Sequence, residues 1–167
     1  MTGRGVVPLI RVPPKVKINS DFYIEKVLKP ILEEKVAALY PGELDKVFIH
    51  HDAASSHTSK KNTAYAEDLK ARTGMTIIIN KEIPVKSPDT SPLDFFGFGY
   101  LKQRLQRRRG RTIDWVWKIA QSEWNQISLK TVRKVYAAWK RRLRTVSRLQ
   151  GQHIEPIKQI DSRRIRL

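Results

Sequence analysis

Residues 47–60 read VFIHHDAASSHTSK, and residues 75–79 read MTIII. The first stretch is a β-branched and aromatic run that delivers His50, His51 and Asp52 to its own tip before dissolving into small and hydroxyl residues. The second is short, continuous and apolar, the pattern of a strand buried on both faces. Between them, Thr58 or Ser59 can cap a helix over 60–72, and Gly74 sits where a left-handed helix stop belongs. Strand, helix, strand at this spacing is a parallel crossover, and such crossovers are almost always right-handed. The fold class is therefore α/β.

Working outward, GRGVVPLIRV predicts a short strand over 5–12 that ends at Pro13-Pro14. Asn19 or Ser20 then caps a helix reaching residue 39, with Phe22, Val27, Leu28, Ile31, Leu32, Val36 and Leu39 on one broad face and a kink expected at Pro30. Residues 80–91 form a loop rich in Pro, Lys and Ser, and Ser91-Pro92 opens another helix running to 108. An Arg-rich linker, RRRGR, leads to two further helices. The first, over 112–124, carries Ile113, Val116, Trp117, Ala120 and Trp124; the second, over 128–149, keeps one side apolar and surrounds the remainder with Lys and Arg. No internal repeat is present, and the tail beyond Gly151 has no clear period.

The chain has 167 residues, 40% of them hydrophobic, which suits one domain with a real core. It contains no cysteine, which excludes disulfide frameworks and thiolate zinc modules. There is no apolar run long enough to cross a membrane and no signal-peptide pattern at the N-terminus, so the sequence reads as soluble and intracellular. The formal net charge is +17 and lopsided. Residues 1–100 hold 14 basic and 12 acidic side chains, and residues 101–167 hold 19 and 4. A field of one sign that dense is offset most readily by a polyanion, so the second part expects nucleic acid ahead of an anionic membrane surface. The first part expects something else.

In an open α/β sheet, ligand and metal chemistry gathers at the carboxyl ends of the strands. Asp52 follows the strand over 47–51, and Asp94 lies in the first turn of the helix that begins after the strand over 75–79 and its loop. Topology thus places both carboxylates on one rim, where hard oxygen ligands suit Mg²⁺ or Mn²⁺. Taken singly, each has a plainer reading. Asp94 suits the helix dipole and first-turn amides, and Asp52 can simply open a turn. His50, His51 and His57 match no zinc spacing. Trp115, Trp117, Trp124 and Trp139 could stack on bases, but at helical spacing they suit a core.

The two acidic blocks together resemble a known family. HHDAASSHTSK is similar to the second catalytic block of mariner-superfamily DNA transposases, where a strand ends in Asp followed by Asn-Ala or similar, then a His and Ser or Thr. SPDTSPLDFFGFGYLKQRL resembles their third block, and SEWNQIS with RRLRTVSRLQGQHIEP resembles the family's C-terminal pattern. The resemblance spans about residues 3–157. It departs from the family in two places: 41 residues separate Asp52 from Asp94, a longer interval than usual, and position 53 is Ala where Asn is common.

The resemblance implies a truncated ribonuclease-H-like fold of about three strands and about five helices with a basic helical C-terminal part. Its expected organisation is a partial catalytic core over 1–110, a basic helical part of the same domain over 111–150 and a basic tail over 151–167. Asp52 and Asp94 then match the family's second and third catalytic, metal-binding carboxylates, with Mg²⁺ or Mn²⁺ as the expected ion. Such enzymes cut element ends and join a 3′ hydroxyl to target DNA, using two divalent ions to activate the nucleophile and stabilise the leaving oxygen. Lys102, Arg104, Arg107, Arg108, Arg109, Arg111, Lys140, Arg141 and Arg142 are the expected phosphate contacts.

The family's first carboxylate and its first two strands would lie upstream of the GRG turn. The expectation is a fragment whose catalytic activity is lost, with open sheet edges that make a poorly consolidated monomer or one completed by an upstream polypeptide or a second copy. DNA is the expected partner, the nucleus the expected location, and a membrane is not expected. The alternative is a non-enzymatic basic nucleic-acid-binding protein derived from a transposase and acting through residues 102–167.

Overall fold

The structure, a computed structural model, describes residues 1–51, 54, 57–78, 90–108, 112–152 and 154. Two parallel strands, five helical runs and one short 3-10 turn (Leu44–Lys46) are formed among them. The crossover read from 47–79 is present. Strand β1 (Phe48–Ile49) pairs in parallel with β2 (Thr76–Ile77), Phe48 opposite Thr76 and Ile49 opposite Ile77. Thr76 N donates to Val47 O at 3.0 Å and Ile78 N to Ile49 O at 2.9 Å.

Helix α3 (Lys60–Thr73) makes the connection. Its first turn is closed by the Ser59 side chain, which accepts from Asn62 N at 3.3 Å. Its last turn ends at Gly74, left-handed at φ 80°, whose N–H donates to Lys70 O. Glycine is required there on a second ground, because a Cβ would lie 2.9 Å from the Asp45 backbone.

The first helical run begins with α1 (Ser20–Tyr23), capped as expected by Asn19, whose side chain accepts from Phe22 N at 2.9 Å. It continues through two π-wound stretches, Ile24–Leu28 and Pro30–Val36, and closes as α2 (Ala37–Leu39). Pro30 has no N–H to give, and the wider winding on either side accommodates it within one continuous run. The buried stripe Tyr23, Ile24, Leu28, Leu32 and Val36 packs on Tyr65, Leu69 and Met75 to form the first core. Leu69 and Met75 are fully buried.

Two expectations fail here. The strand over 5–12 is not formed: apart from an isolated bridge between Thr2 and Gly5, residues 6–13 carry no regular structure. Among the described residues no neighbouring strand offers a ladder, and Pro8 and Pro13 lack donors. The segment works as a strap instead. Val7 packs on the first core, Met1, Val6 and Leu9 pack on a second, and Val7 O accepts from Trp124 Nε1 at 2.8 Å. The stretch 75–79 is also not buried on both faces. Met75 is buried, but Thr76, Ile77 and Ile78 are half-exposed because a two-stranded sheet covers only one side. Phe48, at 66% exposure, shows the same thinness.

The second core is helical. A π-wound turn, Leu93–Gly97, runs directly into α4 (Phe98–Arg108). Helix α5 (Ile113–Asn125) is capped by Thr112 and helix α6 (Leu129–Arg148) by Ser128, each side chain accepting a backbone N–H three residues on at 3.2 Å. Trp124, Ile127 and Val132 are buried between them, with Phe96, Tyr100, Leu101 and Tyr136 packed around. This cluster draws residues from both sides of position 110. No helix among the described residues is long and apolar enough to cross a membrane.

Candidate nucleic-acid and metal site

Parallel pairing has a direct consequence for the rim. Both strands run the same way, so the chain leaves Ile49 and Ile77 at one edge of the sheet. His50 is exposed there. His51 turns back onto the first helical run, its Nδ1 3.1 Å from Tyr23 Oη. The His57 ring stacks on Tyr23 at 3.8 Å between centroids and lies nearly parallel to His51, at 5.2 Å and 7°. Ring nitrogens bind in the plane of the ring, so two parallel imidazoles do not converge on one ion. His51 and His57 are therefore packing groups set against Tyr23. Asp52 lies outside the described residues, and so does the expected loop over 80–91 up to residue 89. Among the described residues, no group of three metal-ligating side chains converges.

Asp94 is exposed in the first turn of its helix, its N–H donating to Ser91 O at 3.0 Å. No cation pairs with it among the described residues. An exposed carboxylate with no cation beside it among the described residues offers the hard oxygens that a divalent ion accepts.

The basic residues divide into two groups. On the N-terminal side, cations are matched locally: Arg4 with Glu43, Lys29 with Glu25, Lys61 with Asp21, and Arg72 with both Asp68 and Glu33. Burial alone would push the Glu33 carboxyl up, but donors from Tyr65 and Arg72 outweigh it and hold it below the ordinary range. Helix α6 is different. Lys130, Arg133, Lys134, Lys140, Arg141, Arg144 and Arg148 are all exposed, and none has an ion-pair partner among the described residues.

Two of the expected phosphate contacts do something else. Glu123 is buried at 5% exposure, and Arg108 donates to it at 3.0 Å while Arg104 Nε lies 3.7 Å away. A buried carboxylate needs such partners, so these two arginines fasten α4 to α5. Arg104 also covers the Tyr100 ring. Lys102 and Arg107 remain exposed, and Arg109 and Arg111 lie outside the described residues. Glu123 was legible in part: it is one of only 4 carboxylates among residues 101–167, against 19 cations.

Sequence reasoning missed how α6 sits. Trp139 Nε1 donates to Thr90 O at 2.8 Å, and the Arg142 guanidinium lies 4.5 Å over the Phe95 ring. These contacts clamp the basic helix onto the turn that carries Asp94. Tyr136 Oη donates to Met1 O at 2.7 Å, and burial pushes its hydroxyl up to about 12, with a smaller contribution from Tyr40. Trp124 and Trp139 are accordingly anchors of the fold. Trp115 and Trp117 are half-buried on α5.

No protein-family model, curated protein or solved structure matches the chain.

Proposed function

We propose that the chain is a transposase-like catalytic-core element of the mariner type, built on part of a ribonuclease-H-like fold and acting on DNA in the nucleus. The observation that carries this reading is the docking of an uncompensated basic helix, α6, directly against the helical turn that presents Asp94. A polyanion drawn to α6 is brought to the side of the molecule where an unpartnered carboxylate stands. The parallel β1–β2 pair adds support, because both strands end at one edge of the sheet, where ligand chemistry gathers in such folds, and Asp52 follows β1 in the sequence.

In this reading Asp94, with Asp52, holds Mg²⁺ or Mn²⁺, and the ion supplies Lewis-acid stabilisation of phosphoryl transfer. Asp94 offers hard oxygen, while Lys102, Arg107, Lys140 and Arg141 draw and orient the phosphate backbone. Asp52 and Asp94 match two carboxylates of a three-carboxylate pattern, and divalent-ion binding and DNA binding are what the residues in hand are expected to supply.

The test is a Mn²⁺ titration of the full chain against the double variant Asp52→Ala, Asp94→Ala. Loss of Mn²⁺ binding in the variant supports the metal reading. Equal binding by both proteins sinks it and leaves the second reading, a non-enzymatic nucleic-acid-binding protein that uses the same unpaired face of α6.

A further inference from the structure

Strand β1 has an open outer edge. Its ladder with β2 uses the carbonyls of Val47 and Ile49, which accept from Thr76 N and Ile78 N. Backbone groups alternate sides along a strand, so Phe48 and His50, on either side of Ile49, turn their N–H and C=O away from β2. Neither residue makes a hydrogen bond there among the described residues. Side chains alternate too: Ile49 packs on the first core with Ile77, which leaves the Phe48 and His50 side chains on the opposite face. Both are exposed, Phe48 to 66%. The strand beside it differs, because no residue from Met75 to Ile78 is exposed.

An open edge that carries an exposed aromatic ring is the kind of surface to which extended chains add. The charge distribution favours a second copy as the occupant. Residues 101–167 hold 19 basic and 4 acidic side chains, so copies repel wherever those parts meet, whereas residues 1–100 hold 14 and 12. Beside the edge, Lys46 is matched by Glu43. The edge is also self-complementary. Antiparallel pairing about a twofold axis at Ile49 sets Phe48 opposite His50 of the second copy and His50 opposite its Phe48, so that each outward N–H meets an outward C=O. The rings then meet as cross-strand pairs. Two thin sheets become one of four strands, beyond the size at which an isolated pair is marginal.

We infer that the chain self-associates through the outer edge of β1, as a twofold pair centred on Ile49. The contact is small, so the dimer is weak and reversible, with a dissociation constant on the order of 100 μM. It is independent of nucleic acid at α6 and of metal at Asp94.

Sedimentation equilibrium of the nuclease-treated full chain, over concentrations spanning that value, is expected to show monomer passing to dimer. Raising the salt favours the dimer by screening the like-charged second parts, whereas a pair bridged by nucleic acid falls apart. Phe48→Pro removes the outward N–H and the ring but leaves the β1–β2 bonds in place, and Val47, at φ −91° and ψ 121°, already has the extended backbone that precedes proline. It is expected to raise the dissociation constant at least about tenfold, with the far-ultraviolet circular dichroism unchanged. The chain has no cysteine, so a single one reports on register. In a pair centred on Ile49 the two opposed Cα atoms lie about 4.5 Å apart, a separation that a disulfide spans, so mild oxidation of Ile49→Cys is expected to give a covalent dimer. Ile113→Cys, at a 77% exposed position that opens α5, is the control and stays monomeric. A chain that stays monomeric throughout overturns the inference and leaves the edge to a strand of another kind. Association untouched by Phe48→Pro, association abolished by nuclease, or cross-linking no faster in Ile49→Cys than in Ile113→Cys overturns it as well. If Phe48→Pro does not fold, the cross-linking comparison decides alone.

Discussion

The part built on the crossover and the part built on α4, α5 and α6 solve the problem of charge in opposite ways. Around the first core, cations sit beside carboxylates, and the surface is close to neutral. Around the second, the single buried carboxylate of Glu123 serves two arginines, and the outer face of α6 is left without partners among the described residues. Self-repulsion on such a face costs stability unless an anion offsets it. The difference separates a part whose cations are matched within the fold from a part that leaves most of its cations unmatched among the described residues. The strap over residues 1–9 joins them, because Val7 touches the first core and accepts from Trp124 of the second.

That contrast can be broken most forcefully at Trp124. Trp124→Ala removes the largest buried side chain of the second core and the hydrogen bond to the strap, and is expected to cost about 4 kcal/mol. All four tryptophans lie in the helical part, so their fluorescence reports on that part alone, while far-ultraviolet circular dichroism sees both. Leu69→Ala, expected to cost about 3 kcal/mol, empties the centre of the first core. If the parts are separable, it lowers the dichroism transition and leaves the tryptophan transition in place. A single shared transition in both variants would show that the strap couples the two cores into one cooperative unit.

A smaller effect sharpens the charge comparison. Glu123→Gln is expected to cost about 1 kcal/mol, modest because Arg104 and Arg108 stay partly solvated. It should also tighten DNA binding by releasing two cations, making the salt dependence steeper by up to about 2 in the log–log slope. Unchanged affinity and slope would mean that neither arginine can reach the phosphate backbone. The smallest effect concerns acid. Glu33 is held below its ordinary pKa when folded, so its contribution is present above the unfolded value and is lost as pH falls through the folded one. The first part should therefore weaken in acid below the normal glutamate range, and Glu33→Gln should flatten that slope in a dichroism titration.

Much of the local structure was legible because its causes are local. Asn19, Ser59, Thr112 and Ser128 each close a helix with their own side chain, and Gly74 ends one where its backbone needs φ above zero. The crossover was legible from the order of periods along 47–78. The strand over 5–12 was misread for a reason of the opposite kind. A β-branched run states only that the chain is extended, and whether it becomes a strand depends on a partner elsewhere. The basic residues show the same limit: α6 was recognisable as cationic, yet nothing in RRRGR or LKQRLQRR tells that Arg104 and Arg108 face a buried carboxylate on the next helix.

By itself, then, the sequence determined the α/β class, the helix ends, the lopsided charge and the candidate carboxylates Asp52 and Asp94, because these follow from neighbours within a turn or from sums over residues. Tertiary structure alone decided that residues 1–9 strap two cores together, that α6 is clamped by Trp139 and Arg142 onto the Asp94 turn, and that β1 keeps an open edge at Phe48. These depend on contacts between residues dozens of positions apart, and the free energy of such contacts comes from burial and desolvation, which exist only once the chain has closed on itself.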